Sequence, residues 1–277
     1  VAVGEFDGVH LGHRQVIAGS DTVLTFEPHP RTVLTPELRL PRLTCPEAKA
    51  RRIAELGVEE LVIVHFDRAF SMVSAERFID SILVERLGAT HVSVGSDFRF
   101  GHGARGDAAL LASDSRFTTR VVDLVRRDGQ RVSSTHIRRL LAVGDVESAA
   151  GLLGAPFTLC GEIVHGEQRG RTLGFPTANI VPDPTFACPA PGVYAGRVGE
   201  HPAAISVGFR PTFGQGLALL VESYLLDFVG DLYGQRLTVE FHHRLRGEER
   251  YDSVDELVEQ MHADVALTRK LLGSDAA

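Results

Sequence analysis

The tightest constraint on this chain is a change of rhythm near residue 154. Before that point, short β-branched or apolar runs at 1–3, 22–26, 61–65, 91–94 and 119–124 read as strands, with helical patterns between them. In 75–87, for example, Phe78, Ile79, Ile82, Leu83 and Leu87 form one stripe behind Ser74, a candidate N-cap. Such alternation predicts a parallel sheet covered by helices on both faces. Residues 140–153 still read as helix, and Gly154-Ala155-Pro156 breaks it. Beyond the break, 157–164, 193–198, 203–207, 219–226 and 237–245 read as strands separated by Gly and Pro, predicting an antiparallel barrel or sandwich. An S-x-x-E capping box at Ser253 and Glu256 then opens a last helix striped by Val254, Leu257, Val258, Met261 and Val265. The expected domains are 1–153 and 154–277, in keeping with roughly 150 residues per domain.

One connection does not suit this scheme. After His13 only residues 14–21 precede the next strand, whereas a parallel crossover takes a dozen residues or more. Residues are therefore expected to be missing near 17–21. The chain also opens directly on Val-Ala-Val-Gly with no initiator methionine, so it is expected to begin inside a longer natural chain.

Charge narrows the function. Acids outnumber bases 36 to 29, giving a net charge of -7, which argues against a nucleic-acid partner. Lys49 and Lys270 are the only lysines, and neither stands in the G-K-[ST] of a Walker A loop. Phosphate chemistry here falls to backbone amides, arginine, histidine or metal. Lys49 lies in an E-A-K-A-R helical segment and Lys270 near the end of the last helix, both outside the motifs below. The three cysteines, Cys45, Cys160 and Cys188, are odd in number and widely spaced, which predicts neither a disulfide framework nor a zinc site and favours a reducing, cytoplasmic setting. No apolar run approaches 18 residues, so no membrane partner is expected.

Directly after the first strand stands Gly4-Glu5-Phe6-Asp7-Gly8-Val9-His10-Leu11-Gly12-His13. A strand that ends in a glycine turn and feeds a helix aims backbone N–H groups at one point, which suits phosphate at Gly4, Phe6, Asp7 and Gly8. His10 and His13, spaced i and i+3, share a side and can donate to phosphoryl oxygens, while Gly12 admits close approach. The alternative readings of the pair are metal ligation together with Asp7, or a plain surface role at a helix start. After the last strand of the first half comes Arg131-Val132-Ser133-Ser134-Thr135-His136-Ile137-Arg138, where Ser133, Ser134 and Thr135 open a helix and Arg138 lies one turn in. An ordinary N-cap with a solvated arginine would look the same.

HxGH after the first strand and S-S-T-x-I-R after the last together resemble the nucleotidyltransferase superfamily. Thr25-Phe26-Glu27-Pro28-His29-Pro30 and Gly95-Ser96-Asp97-Phe98-Arg99-Phe100-Gly101 bring the resemblance to the bacterial bifunctional riboflavin kinase/FAD synthetase family. In the second half, G-R-x-L-G-F-P-T-A-N at 170–179 is similar to the flavokinase signature, as are the segments 207–213, 221–227 and 231–234. The fold implied is α/β plus β: an N-terminal Rossmann-like nucleotidyltransferase domain, and a C-terminal antiparallel flavokinase β-barrel with a long C-terminal helix.

The resemblance also implies roles. Glu222 is the catalytic base of a kinase half that phosphorylates riboflavin with ATP. Thr177 and Asn179, the chain's only asparagine, are its Mg2+ ligands, and Gly166, Gly170 and Arg171 meet ATP phosphates. In the other half FMN and ATP give FAD and pyrophosphate, with His10, His13 and Arg138 catalytic and Ser133, Ser134 and Thr135 on the phosphates. Phe26, Pro28, His29, Asp97, Phe98, Arg99, Phe209 and Arg210 are candidate flavin contacts, although phenylalanine, the commonest aromatic residue here, also fills cores. The partners implied are riboflavin, FMN and ATP, acting on a monomer or weak oligomer. Two other readings stay open: a different small-molecule adenylyltransferase with an appended β domain, and a flavin-binding protein without catalysis.

Overall fold

The computed structural model describes residues 1–38, 40–164, 177–211 and 217–273, with backbone alone at 210, 211, 217 and 218. Gly166, Gly170 and Arg171 lie outside the described residues, as does the side chain of Arg210. Two compact units emerge, Val1–Arg42 with Pro46–Ser134, and Leu43–Cys45 with Thr135–Ala277.

In the first unit β1 (Ala2–Val3), β2 (Thr22–Glu27), β3 (Glu60–His65), β4 (His91–Gly95) and β7 (Thr118–Val122) form a parallel sheet in the order β3-β2-β1-β4-β7. Alternate side chains enter two separate cores. Val3, Leu24, Val92 and Val94 pack with Phe26, Phe78, Leu83 and Phe100, while Ala2 and Val23 pack with Phe6, Val9, Ile17 and Ile53. Two apolar faces on one sheet are what a parallel sheet covered on both sides requires. Short hairpins pair β5 (Arg99–Phe100) with β6 (Gly106–Asp107), and β8 (Arg126–Arg127) with β9 (Gln130–Arg131). The strand order reverses between β1 and β4, and a crevice at such a point, beyond the carboxyl ends of the strands, is where open α/β sheets bind ligands.

Helices differ from expectation in instructive ways. The crossover from β1 to β2 closes without additional residues near 17–21: α1 (Leu11–Ile17) begins before His13, and a turn with Gly19 at φ 77° delivers the chain to β2. The shortfall came from counting the connection from His13 instead of from Gly4. Further helices are α2 (Pro30–Leu34), α3 (Pro46–Ala54), α4 (Ala75–Phe78) and α5 (Ala108–Ala112). Ser74 caps α4 by accepting from the Arg77 N–H, but from Ile79 to Arg86 the helix widens to a π-helix. The single helix read at 140–153 is two, α6 (Ser134–Ala142) and α7 (Val146–Leu153), because Gly144 at φ 80° turns the chain between them.

The second unit holds a closed barrel in the order β10-β11-β14-β13-β12-β15, made of β10 (Phe157–Val164), β11 (Thr177–Ile180), β12 (Gly192–Val198), β13 (His201–Pro211), β14 (Leu217–Leu225) and β15 (Arg236–Arg246). Pairing of β10 with β15 completes the ring and leaves no edge strand. β12 approaches β15 so closely that a Cβ on Gly196 would lie 1.9 Å from the Glu240 carbonyl oxygen, which only glycine permits. The C-terminal helix α8 (Val254–Gly273) buries Asp264, Thr268 and Leu272, whereas Val254 is 60% exposed. Leu257, Val258, Met261 and Val265 of the expected stripe are half-buried on the same side, where Asp264 adds a salt bridge to Arg246 on β15.

Cysteine usage needs correction. Cys45 and Cys160 form a disulfide within the second unit, with Cα atoms 6.4 Å apart, and Cys188 is the free thiol. A separation of 115 residues carries no spacing signal, and only the fold brings the two together. Cysteine count therefore no longer argues for a reducing compartment. Among the described residues no helix is long and apolar enough to cross a membrane.

Candidate active sites

In the first unit the segment between β1 and α1 turns sharply. Phe6, Gly8 and Val9 have φ of 51°, 92° and 45°, and for Phe6 and Val9 this left-handed backbone is strained. Burial holds it, for Phe6 is 1% and Val9 0% exposed. Such outliers persist only where surrounding structure over-determines them, and here they lead straight into His10 and His13. His10 caps α1: its Nδ1 accepts from the His13 backbone N–H at 3.2 Å, which leaves Nε2 to carry the proton of a neutral ring. The two imidazoles stack at 3.5 Å between centroids and 16° between planes, and Phe6 meets His13 edge-on at 5.4 Å. Burial, reinforced by His10 and Lys49, holds the His13 imidazole well below its ordinary range and keeps it neutral. Its Nδ1 is buried without a hydrogen-bond partner.

The second motif meets the first. Ser134 at the start of α6 donates to the Asp7 carbonyl at 3.0 Å, across 127 residues of sequence. Ser133 is partly buried and Thr135 exposed, while Arg138, also partly buried, lies one turn along α6. No group of three His, Cys, Asp or Glu among the described residues is placed to hold a metal ion, so the metal-ligand reading of His10 and His13 with Asp7 gains no support.

Around the strand ends, His29 caps α2 through its Nδ1 and stands 3.9 Å from a Glu5 carboxylate oxygen, and Pro28 precedes it. Phe26 is a core side chain, 7% exposed among Phe66, Phe70 and Phe78, and its ring is not available for flavin stacking. Phe98 stacks on Phe100 at 5.5 Å, Asp97 pairs with Arg131, and Arg99 donates to the Phe98 carbonyl.

The helical segment expected around Lys49 is α3, but its contacts with the motif turn were not legible in the sequence. Lys49, read as lying outside the motifs, is 7% exposed and donates to the Glu5 carbonyl at 2.9 Å and to Thr25 Oγ1 at 3.1 Å. Arg52, 5% exposed, donates to the Gly8 carbonyl at 3.2 Å. Burial pulls the Lys49 ammonium down, and the carboxylates of Glu5, Asp7 and Glu27 oppose that pull. Only the i, i+3 spacing of two basic residues on an amphipathic helix hinted at this.

In the second unit the barrel ladder sets the geometry. β11 pairs with β14 so that Thr177 lies opposite Tyr224 and Asn179 opposite Glu222. Alternation sends Val221, Ser223 and Leu225 into the barrel, at 0%, 0% and 6% exposure, and turns Glu222 with Asn179 to the other face. Asn179 is 3% exposed, and its Nδ2 donates to the Thr177 carbonyl while Oδ1 is buried without a hydrogen-bond partner. An unsatisfied neutral oxygen facing the same way as a carboxylate fits a hard cation such as Mg2+. Phe209, on β13, is 53% exposed.

Comparison with known proteins agrees with this division of labour. The FAD synthetase family model matches residues 1–136 and the riboflavin kinase model 153–272. The chain is 39% identical to the bifunctional riboflavin kinase/FMN adenylyltransferase of Listeria monocytogenes, over 97% of this chain and 91% of that one. It is 40% identical to the enzyme of the same name from Pseudomonas fluorescens, over 99% and 93%. The crystal structure of a Streptococcus pneumoniae protein named a macrolide-efflux protein superposes with a TM-score of 0.87 at 33% identity, covering 97% of this chain and 93% of that one. With both halves matched in order and relatives aligned nearly end to end, the chain belongs to the family of bifunctional riboflavin kinases/FMN adenylyltransferases.

Proposed function

We propose that the two sites act in succession on one flavin, the barrel making FMN from riboflavin and ATP, and the parallel-sheet unit making FAD from FMN and a second ATP. The hydrogen bond from Ser134 to the Asp7 carbonyl carries the reading best, because it joins the two loops that an adenylyltransferase needs together.

In the barrel, Glu222 takes the proton of the ribityl 5'-hydroxyl, whose oxygen attacks the γ-phosphorus of ATP as the bond to ADP breaks. Thr177 and Asn179 would hold Mg2+, which supplies charge neutralisation on the phosphates where no P-loop lysine exists. Gly166, Gly170 and Arg171 are assigned to ATP, and Phe209 and Arg210 to the flavin. In the first unit an oxygen of the FMN phosphate attacks the α-phosphorus of ATP and pyrophosphate leaves. That phosphate is already a nucleophile, so no base is required. His10 and His13 donate to the oxygens of the transferring group. Gly4, Phe6, Asp7, Gly8 and Gly12 shape the turn, and Ser133, Ser134, Thr135 and Arg138 hold the departing phosphates. Pro28, His29, Asp97, Phe98 and Arg99 line the flavin side, with Phe26 supporting from the core. We assign 1–153 and 154–277 to the two activities, and a cytoplasmic enzyme, monomeric or weakly associating, working on small molecules without nucleic-acid or membrane partners.

Separated assays test this. Glu222→Gln abolishes FMN formation and leaves FAD synthesis from supplied FMN, and His13→Ala does the reverse with a loss of about 100- to 1,000-fold. Loss of both activities in each folded variant would refute the two-site picture.

A further inference from the structure

Helix α3 buries two cations one turn apart, Lys49 and Arg52, and each donates to a backbone carbonyl of the same seven-residue turn. Lysine is among the residues least often buried, and removal of its ammonium from water costs several kcal/mol before any bond is made. A neutral donor would staple a loop with less desolvation, so a buried ammonium here calls for an explanation beyond loop closure. Thr25 on β2 completes the arrangement: its hydroxyl donates to the Glu5 carbonyl at 3.0 Å and accepts from Lys49, so two donors, one from β2 and one from α3, meet at one carbonyl and bond to each other.

A trans peptide sets its C=O and N–H in opposite directions. Drawing the Glu5 and Gly8 carbonyls toward α3 therefore turns the Phe6 and Val9 N–H groups away from it and fixes the peptide planes on either side of the left-handed residues. Phe6, whose ring braces His13, and Val9, which precedes His10, hang from those planes. We propose that Lys49 and Arg52 are positioning residues for adenylyl transfer, two buried cations that clamp the Glu5 and Gly8 carbonyls and so hold the strained turn that sets His10 and His13. Neither touches the reacting atoms. The inference rests on the adenylyltransferase reading of the first unit and adds residues that lie outside both nucleotidyltransferase signatures.

The test uses the full-length protein and measures FAD formation from FMN and ATP beside riboflavin phosphorylation by the same preparation. Wild type must form FAD, and if it does not, the functional reading itself falls. Given that activity, Lys49→Met lowers kcat for FAD formation about 10- to 100-fold, the scale on which a misplacement of up to an ångström slows an oriented reaction, while both KM values stay within about 3-fold. Riboflavin phosphorylation is unchanged. Thr25→Val, close to isosteric, lowers kcat about 3- to 10-fold and serves where Lys49→Met disturbs folding. Ethylammonium, but not ethanol, raises the rate of Lys49→Ala, a response that lost packing alone would not produce. Full kcat in Lys49→Met and Thr25→Val, a loss confined to KM, or equal effects of ethylammonium and ethanol would overturn the clamp while leaving the activity intact.

Discussion

Gly12→Ala separates stability from catalysis in a way the geometry makes quantitative. Gly12 is the second residue of α1, with nothing unusual in its backbone, so alanine there gains up to about 1 kcal/mol in helix propensity. The cost lies in one direction only. A Cβ at this position would stand 3.2 Å from His10 Cε1 and 3.3 Å from His10 Nδ1, closer than ordinary contact, whereas Val125 at 3.9 Å is undisturbed. The His10 ring must give by a few tenths of an ångström, and its stacked partner His13, 3.5 Å away, must follow. Scaled from about 100-fold per ångström, that displacement lowers kcat for FAD formation about 3- to 10-fold. The melting temperature should hold or rise, and riboflavin phosphorylation should not change. Initial rates with saturating FMN and ATP, beside a thermal melt, provide the check. Undiminished FAD formation would refute the importance of His10 placement, and a fall in rate accompanied by a fall in melting temperature would refute the propensity argument.

Two further outcomes follow from buried groups. Asp264→Ala removes the partner of a mostly buried Arg246 guanidinium, which donates at 3.1, 3.1 and 2.8 Å, and should cost about 3–5 kcal/mol, seen as a lower urea midpoint for loss of kinase activity; a change below about 1 kcal/mol would contradict it. Desolvation of the half-buried Cys188 pushes its thiol up to about 12, so at pH 8 iodoacetamide should label it more slowly in the folded protein than after unfolding, and equal rates in the two states would count against this.

Periodicity carried the architecture a long way, since Phe157–Val164 begins and ends where alternation placed it and both motif loops stand at the carboxyl ends of strands. What stayed hidden depended on tertiary partners. Thr177–Ile180 is too short for a pattern of its own and becomes a strand because β10 and β14 flank it. Lys49 resembles any helical lysine until Glu5 and Thr25 close over it, and Asp264 resembles a solvated acid until Arg246 arrives. Phe26 shows the opposite error: its place in a motif pointed to a ligand, yet three other phenylalanines surround its ring. The Cys45–Cys160 bond has no local correlate at all.

The pairing of Asn179 with Glu222 has a consequence for how this chain tolerates change. The two groups assigned to cation and proton are the two ends of one rung of a β ladder, so their separation is inherited from interstrand spacing and not from the conformation of a loop. Shifting β11 by a single residue would send Asn179 inward and bring Ala178 or Ile180 opposite Glu222. Insertions between β10 and β11 can vary in length without touching that distance, but an insertion or deletion within β11 acts as a frameshift in space, and kinase activity should disappear at one step instead of declining by degrees.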